Sequence, residues 1–335
     1  MPGLPGCCPA VIRALTSSAP LTTVAAMKKP RPFLLVALIA FTCLDVLAAQ
    51  LVADPPHVCE YCEGWARPHE PFQVFGNTWY VGGGVSSVLI TSKQGHVLID
   101  GGLTQTAPQI AASIAKLGFR LEDVKLIVNS HTHYDHAGGI AALQRASGAQ
   151  VAASPAAKQA LEAGGPMPDD PQFAFGPKHN NFPRVAQVRA IEDGETLRVG
   201  DLAITVHFTP GHTPGGTSWS WKSCEKDQCL NLVYADSLNS VSAPGFRFSG
   251  GSHQPSRVAS FEQSIKVVAG LDCDILLTPH PEAFDVDVRL ARRAQEPASN
   301  PFVDRNACKA YAEGARQRLQ QRVREEGAAK VSAPE

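Results

Sequence analysis

Strand-like and helix-like segments alternate along this chain, which predicts a mixed α/β fold. Three observations carry the prediction. Short apolar, β-branched runs bounded by glycine, proline or asparagine recur between residues 73 and 277. Segments with a helical spacing of apolar residues separate them, at 106–117, 136–147, from 155 onward and at 257–269. Histidines follow three of the strand-like runs, at the ends where α/β folds gather their functional groups.

The elements follow in order. Met27-Lys28-Lys29-Pro30-Arg31 is a positive segment, and residues 33–44 form an apolar stretch too short to span a bilayer. Val46-Leu47-Ala48-Ala49-Gln50 offers small residues for cleavage after Ala48 or Ala49. Residues 1–49 are therefore expected to be a leader and signal peptide, with Met27 as a candidate true start. Residues 50–335 are expected to form one domain in the periplasm, free of the membrane after cleavage. Residues 50–72 are punctuated by proline and glycine and are expected on the surface. Strands are expected at 73–81, 85–91 and 96–100, with a hairpin break at Gly95. A helix follows at 106–117, then an apolar strand at 124–129 and a helix at 136–147 ended by Gly148. A strand at 150–153 and a helix from Pro155 make a further βα unit.

Residues 164–184 are rich in glycine, proline, asparagine and phenylalanine, a long loop of the kind that is often functional. Its Phe173, Phe175 and Phe182 either line a cleft or pack within the loop. Strands are then expected at 185–191, 202–208, 217–221 and 230–235. A helix at 257–269, a strand at 274–277 and helices to about residue 325 complete the chain. Trp219 and Trp221 alternate with serines, a pattern for packing within a sheet.

Composition narrows the function. The 335 residues include 30 basic and 31 acidic side chains, a balance that argues against a nucleic-acid backbone as partner. Of nine cysteines, Cys7, Cys8 and Cys43 fall in the leader, and the even remainder in an exported chain suggests disulfides. Cys224 and Cys229 flank a four-residue stretch between two strands, as in a hairpin with a stapled turn. Cys273 and Cys308 can tie the segment before the last strand to the C-terminal helix. Cys59 and Cys62, in a Pro-rich segment without βαβ context, read as a plain disulfide or free thiols.

The chemistry sits in six residues. Ser130-His131-Thr132-His133-Tyr134-Asp135-His136 follows the strand at 124–129, His212 lies in Pro210-Gly211-His212-Thr213-Pro214-Gly215-Gly216, and His280 lies in Thr278-Pro279-His280-Pro281. Alternate residues of an extended segment point the same way, so His131 and His133 can reach one ion. Asp135 and His136 lie where the chain turns into a helix and point elsewhere. Five imidazoles and one carboxylate suffice for two zinc ions, each with three protein ligands and an open position, which is the layout of a catalytic site. Two adjacent metals of that kind point to hydrolysis.

The run His131-x-His133-x-Asp135-His136 with His212 and His280 resembles the metallo-β-lactamase superfamily. Val97-Leu98-Ile99-Asp100-Gly101-Gly102, Tyr234-Ala235-Asp236-Ser237-Leu238 and Leu276-Leu277-Thr278-Pro279-His280-Pro281 look like the third subclass of class B β-lactamases. The resemblance implies an αββα sandwich, two mixed β-sheets packed together with helices on the outer faces. It implies two Zn²⁺ per chain, the first on His131, His133 and His212 and the second on Asp135, His136 and His280. The implied activity is hydrolysis of β-lactams, small-molecule substrates, by water activated between the metals. Asp135 and Ser237 carry the catalytic weight. Ser237 is expected to orient either the substrate carboxylate or metal-bound water, with Asn239 or Ser240 assisting. Asp100 is either a support that fixes a histidine tautomer or a turn-forming residue before Gly101-Gly102. The pairing Cys273–Cys308 fits the subclass, and a monomer is expected. The other subclasses place a cysteine ligand near Ser237, and none is there.

Two departures stand out. Gly82-Gly83-Gly84-Val85 replaces a stretch that in some relatives carries a cysteine bonded to the N-terminal segment, which predicts a more flexible loop over the site. The stretch Asn239-Ser240-Val241-Ser242 looks longer than in some members. The rival expectation is a glyoxalase II-like thioesterase or a lactonase on the same scaffold, with Asp236 bridging the metals.

Overall fold

The computed structural model describes residues 51–252 and 254–332, so the predicted leader and signal peptide lie outside the described residues. The chain opens with the one-turn helix α1 (Cys62–Trp65) and continues with β1 (Phe72–Phe75), β2 (Thr78–Tyr80), β3 (Val88–Ile90) and β4 (His96–Ile99). Then come α2 (Ala107–Lys116), β5 (Val124–Val128), α3 (Tyr134–Ala137), α4 (Ile140–Ser147), β6 (Gln150–Ala153) and α5 (Pro155–Ala163). The long loop carries α6 (Pro177–Asn180). The second half holds β7 (Arg189–Ala190), β8 (Thr196–Val199), β9 (Leu202–Phe208), β10 (Thr217–Glu225) and β11 (Gln228–Tyr234). It ends with α7 (Val258–Gly270), β12 (Ile275–Leu277), α8 (Val286–Gln295) and α9 (Ala307–Ser332).

The strands form two mixed sheets. One runs β1-β2-β3-β4-β5-β6-β7 and the other β12-β11-β10-β9-β8. Side chains that alternate along each strand separate three cores. Val97 and Ile99 of β4, with Leu126 and Val128 of β5, face the other sheet and meet Ile204, Val206, Trp219, Trp221, Leu232 and Tyr234. Leu98 and Ile127 point the opposite way, onto Ile110 and Ile114 of α2 and Ile140 and Leu143 of α4. On the far side, Val233 and Leu276 pack on Phe261 and Ile265 of α7 and Ala315 and Leu319 of α9. The result is the expected αββα sandwich. Because these strands are buried on both faces, they read in the sequence as continuous apolar runs.

The sheet directions bring the site together. β4 and β5 are parallel, as are β11 and β12. β9 and β11 each run antiparallel to β10 and so point the same way. The C-terminal ends of these strands carry Asp100, His131, His212, Asp236 and His280 to one edge.

Several boundaries differ from the sequence expectation. The strand expected at 73–81 is a hairpin, broken at Gly76-Asn77, where Gly76 adopts a φ of +52°. The helix expected at 136–147 is split at Gly138-Gly139, where the Gly139 N–H leaves the helical ladder and donates to the Gly102 carbonyl (3.1 Å). Only Arg189–Ala190 of the strand expected at 185–191 pairs in the sheet. β8 was not anticipated; it is a short edge strand joined to β9 by the tight turn Gly200-Asp201. All three pairs, Cys59–Cys62, Cys224–Cys229 and Cys273–Cys308, form disulfides. Trp219 and Trp221 pack in the inter-sheet core as expected, with indole N–H groups donating to the Asn129 carbonyl (3.2 Å) and Thr78 Oγ1 (2.9 Å).

Candidate metal centre

Local chain geometry aims the histidine run. After β5 the backbone stays extended through His133, which has φ −91° and ψ 155°, and then enters the single turn of α3. His131 and His133 thus precede the helix, while Asp135 and His136 ride on it. The Thr217 N–H donates to the Ser130 carbonyl (2.8 Å), fastening the run to the second sheet. The Gly101 N–H donates to the His136 carbonyl (2.9 Å), fastening the other end to the turn after β4. His212 sits in a pinched loop closed by a bond from the Thr209 N–H to the Gly216 carbonyl (2.8 Å). His280 follows β12, with the Pro279 carbonyl accepting from the Ser86 N–H (2.8 Å).

The six residues converge as two triads. The imidazole centroids of His131, His133 and His212 are 4.7–4.9 Å apart in every pairing, and the rings stand nearly perpendicular to one another. Their ligand atoms all lie within 4.8 Å of one another. In the second triad Asp135 Oδ2 is 3.0 Å from His136 Nε2 and 3.4 Å from His280 Nε2, and the two Nε2 atoms are 3.2 Å apart. An ion bound tetrahedrally at ~2.0–2.1 Å holds its ligand atoms roughly 3.3 Å apart, so this triad is already drawn to the size of a divalent cation. His131 also lies within reach of Asp135 and His136, so the triads adjoin. All six predicted ligand residues except His280 are buried; its side chain is 26% exposed and marks the open side.

Each nitrogen that faces away from the first triad has an acceptor. His131 Nδ1–H donates to Asp236 Oδ1 (2.8 Å), His133 Nε2–H to Asp170 Oδ1 (3.3 Å) and His212 Nδ1–H to the Asn239 carbonyl (2.7 Å). His131 Nε2 is left buried with no hydrogen-bond partner. An orphaned lone pair beside two further imidazoles fits a metal.

Charge agrees with that fit. Burial pushes His131 well below the usual imidazole range, and the neighbouring histidines push it further. Burial and His133 push His212 down to about 3. Burial opposes ionisation of Asp135, but His136 outweighs it and holds the carboxyl well below its ordinary value. Neutral imidazoles and an ionised carboxylate are the donor forms a cation needs. Burial lowers His136 too, but Asp135 and Asp100 prevail and raise it above the usual imidazole range. Burial drives Asp236 well above the carboxylate range, and a cation held beyond His131 is the counter-charge it lacks.

The remaining predicted residues fall around these triads. Ser237 and Ser240 are buried and Asn239 is exposed. Asp236 and Asn239 hold His131 and His212, so the stretch 236–239 runs along the first triad. Asp100 is fully buried with φ +61°. It is thus the turn residue, and its Oδ2 is also 3.9 Å from His136 Nδ1. Phe182 packs in the core, while Phe173 and Phe175 are exposed on the loop. Burial raises Asp100, with His136 and the Ser130 hydroxyl opposing.

Three features escaped the sequence. Asp170, in the long loop, supports His133, and no motif flags it. Tyr311 of α9 donates to the Asp236 carbonyl (3.0 Å) and accepts from the Leu238 N–H (3.1 Å), bracing this stretch one turn beyond the Cys273–Cys308 disulfide. The N-terminal segment forms a wall: the Trp65 ring is 5.5 Å from His280, and His57 stacks on Tyr134 at 4.1 Å. It seats against the glycine run, because a side chain at Gly84 would meet the Gly64 carbonyl at 2.0 Å.

A family model described as the metallo-β-lactamase superfamily matches residues 80–224. Among solved structures, the Rm3 metallo-β-lactamase is 51% identical with a TM-score of 0.77, covering 81% of this chain and 99% of that one. MEM-A1, a subclass B3 metallo-β-lactamase from a soil metagenome library, is 52% identical with a TM-score of 0.76, covering 79% and 99%. MIM-1 from Novosphingobium pentaromativorans is 45% identical with a TM-score of 0.72, covering 81% and 95%. Curated relatives match over shorter stretches. A probable metallo-hydrolase of Burkholderia pseudomallei is 31% identical over 33% of this chain. A hydroxyacylglutathione hydrolase of Pseudomonas paraeruginosa is 33% identical over 29% of it. The chain spans only 35% and 27% of the lengths of those two relatives. With the sandwich, the two donor triads and near-complete coverage of solved B3 enzymes together, the chain belongs to the metallo-β-lactamase superfamily of hydrolases, in its subclass B3.

Proposed function

We propose that this protein is a dizinc β-lactamase that opens the β-lactam amide of penicillins, cephalosporins and carbapenems and so confers antibiotic resistance. The observation that carries the reading is the pair of adjoining donor triads, whose spacings suit two divalent ions. His131, His133 and His212 hold the first zinc; Asp135, His136 and His280 hold the second. Zinc in these positions supplies Lewis acidity toward the amide carbonyl and makes water nucleophilic near neutral pH.

The chain's own residues do the rest. Asp236, Asp170 and the Asn239 carbonyl fix the orientation of the first triad. Asp135, held ionised by His136, brings the negative charge that balances the second ion. Substrate enters on the open side, between His280, Trp65 and the loop at 164–184. Ser237, on a backbone fixed by Tyr311, binds the substrate carboxylate, with Asn239 and Ser240 beside it. The substrate is a small molecule and the working unit a monomer. Three disulfides suit an oxidising compartment, and with the leader expected at residues 1–49 they favour the periplasm.

Ser237 acts in binding, which makes Ser237→Ala diagnostic. Loss of one hydrogen bond to a charged group, about 1.5 kcal/mol, raises KM roughly tenfold and leaves kcat within about threefold. Steady-state kinetics with a penicillin checks this, and a fall confined to kcat would move Ser237 from binding into the chemical step.

The thioesterase or lactonase reading draws on the partial match to hydroxyacylglutathione hydrolases. It requires Asp236 to bridge two metals, whereas Asp236 Oδ1 engages the Nδ1 side of His131, away from the orphaned Nε2. The deciding experiment is hydrolysis of a penicillin and a carbapenem by the purified protein, before and after removal of metal by a chelator. Ring opening that the chelator abolishes and zinc restores is expected. A protein that holds two zinc ions yet opens neither ring would favour the thioesterase or lactonase.

A further inference from the structure

We propose that Asp170 is a positioning residue that ties the loop at 164–184 to the first metal, so that zinc retention and loop order are coupled. This rests on the assignment of His131, His133 and His212 as the first zinc site. Asp170 is buried, and its Oδ1 accepts two bonds: from His133 Nε2–H at 3.3 Å and from the Gln172 amide at 2.8 Å. The first bond leaves His133 Nδ1 as the nitrogen free for metal. The second fixes the backbone of the loop just before the exposed Phe173 and Phe175.

The loop is anchored elsewhere as well. The Ala243 N–H donates to the Pro171 carbonyl (2.9 Å), and Arg257 Nη2 donates to the Asp169 carbonyl (3.1 Å). Asp170 is therefore the one point, among these anchors, at which the loop touches a metal ligand. Loss of the partner that orients a ligand histidine typically costs 10–100-fold in metal affinity. Coupling is reciprocal: whatever factor Asp170 adds to zinc binding, zinc must add to the anchoring of the loop. The Gln172 amide, bonded to the same oxygen, reports that anchoring directly.

The test compares the wild type with Asp170→Ala, Arg257→Ala and His133→Ala. Zinc affinity is measured by competition with a chromophoric chelator, and exchange of the Gln172 amide by hydrogen–deuterium exchange, with and without zinc. Expected results are a 10–100-fold loss of affinity for one of the two zinc ions in Asp170→Ala and little change in Arg257→Ala. Zinc should slow Gln172 exchange by a similar factor in the wild type and not in Asp170→Ala. Zinc affinity in Asp170→Ala within about twofold of the wild type would overturn the proposal, while loss of zinc in His133→Ala keeps the metal assignment standing. An equal loss in Arg257→Ala would also overturn it, since order in the loop alone would then suffice. If His133→Ala binds zinc as well as the wild type, the metal assignment itself fails and the proposal falls with it.

Discussion

Replacing His133 by alanine is expected to reduce bound zinc from about two ions per chain to about one and to lower β-lactam turnover by ~10³-fold or more. The magnitude follows from the work assigned to the site. Lewis-acid stabilisation of a hydrolytic transition state is worth several kcal/mol, and about 4 kcal/mol corresponds to ~10³ in rate. The three imidazoles of the first triad are spaced almost equally, so removing one leaves two nitrogens and no substitute. Asp170, the nearest carboxylate, lies on the far side of the deleted ring and is tied to the Gln172 amide. The fold should survive, because His133 belongs to the site edge and not to the hydrophobic cores. Metal analysis, steady-state kinetics and circular dichroism on one preparation check all three statements. Unchanged turnover would sink the metal assignment, and restoration of activity by added zinc would reduce His133 to a matter of affinity.

The parts of this site that the sequence revealed are those carried by short-range pattern. His131, His133, Asp135 and His136 lie within six residues, and the alternation of extended chain followed by a helical turn explains their division between two triads. His212 and His280 were legible because each follows an apolar strand, and parallel strands bring such ends to one edge. The supports of the first triad were not legible as supports, because their partners come from afar, and Asp236 was in view only as a bridging ligand. Asp236 is 105 residues from His131, and Asp170 is 37 from His133 inside a loop with no periodicity. The Asn239 carbonyl leaves no trace in sequence, since every residue has one. The fold divides in the same way. Two-face burial made β4, β5, β11 and β12 plain, whereas β8, an edge strand with alternating exposed and buried residues, was hidden behind the Gly200-Asp201 turn. The split of the helix at 136–147 goes with the bond from the Gly139 N–H to the Gly102 carbonyl, a contact between segments that only the folded chain defines.

Asp100→Ala should be the most destabilising single change near the site, by about 4 kcal/mol. Asp100 is fully buried and accepts from four donors: Asn129 Nδ2 (2.9 Å), Ser130 N (2.7 Å), Ser130 Oγ (2.6 Å) and the Tyr234 hydroxyl (2.8 Å). The two hydroxyls can turn toward other acceptors. The Ser130 amide and the Asn129 side-chain amide cannot, and each stranded buried donor costs ~1–3 kcal/mol. Alanine also tolerates the left-handed backbone at φ +61° less well than aspartate, adding about 1 kcal/mol. Asparagine is the informative contrast. Its carbonyl oxygen can keep the Asn129 and Ser130 amides, and its NH₂ can donate to the two hydroxyls once they rotate. Asp100→Asn should therefore lose only about 1–2 kcal/mol, mostly from replacing charge-assisted bonds with neutral ones. Urea unfolding of both variants separates the cases. A loss in Asp100→Ala below about 1.5 kcal/mol would mean that water or a shifted backbone satisfies the four donors. Equal losses in the two variants would instead identify the charge facing His136, 3.9 Å away, as the stabilising element, and not the hydrogen-bond count.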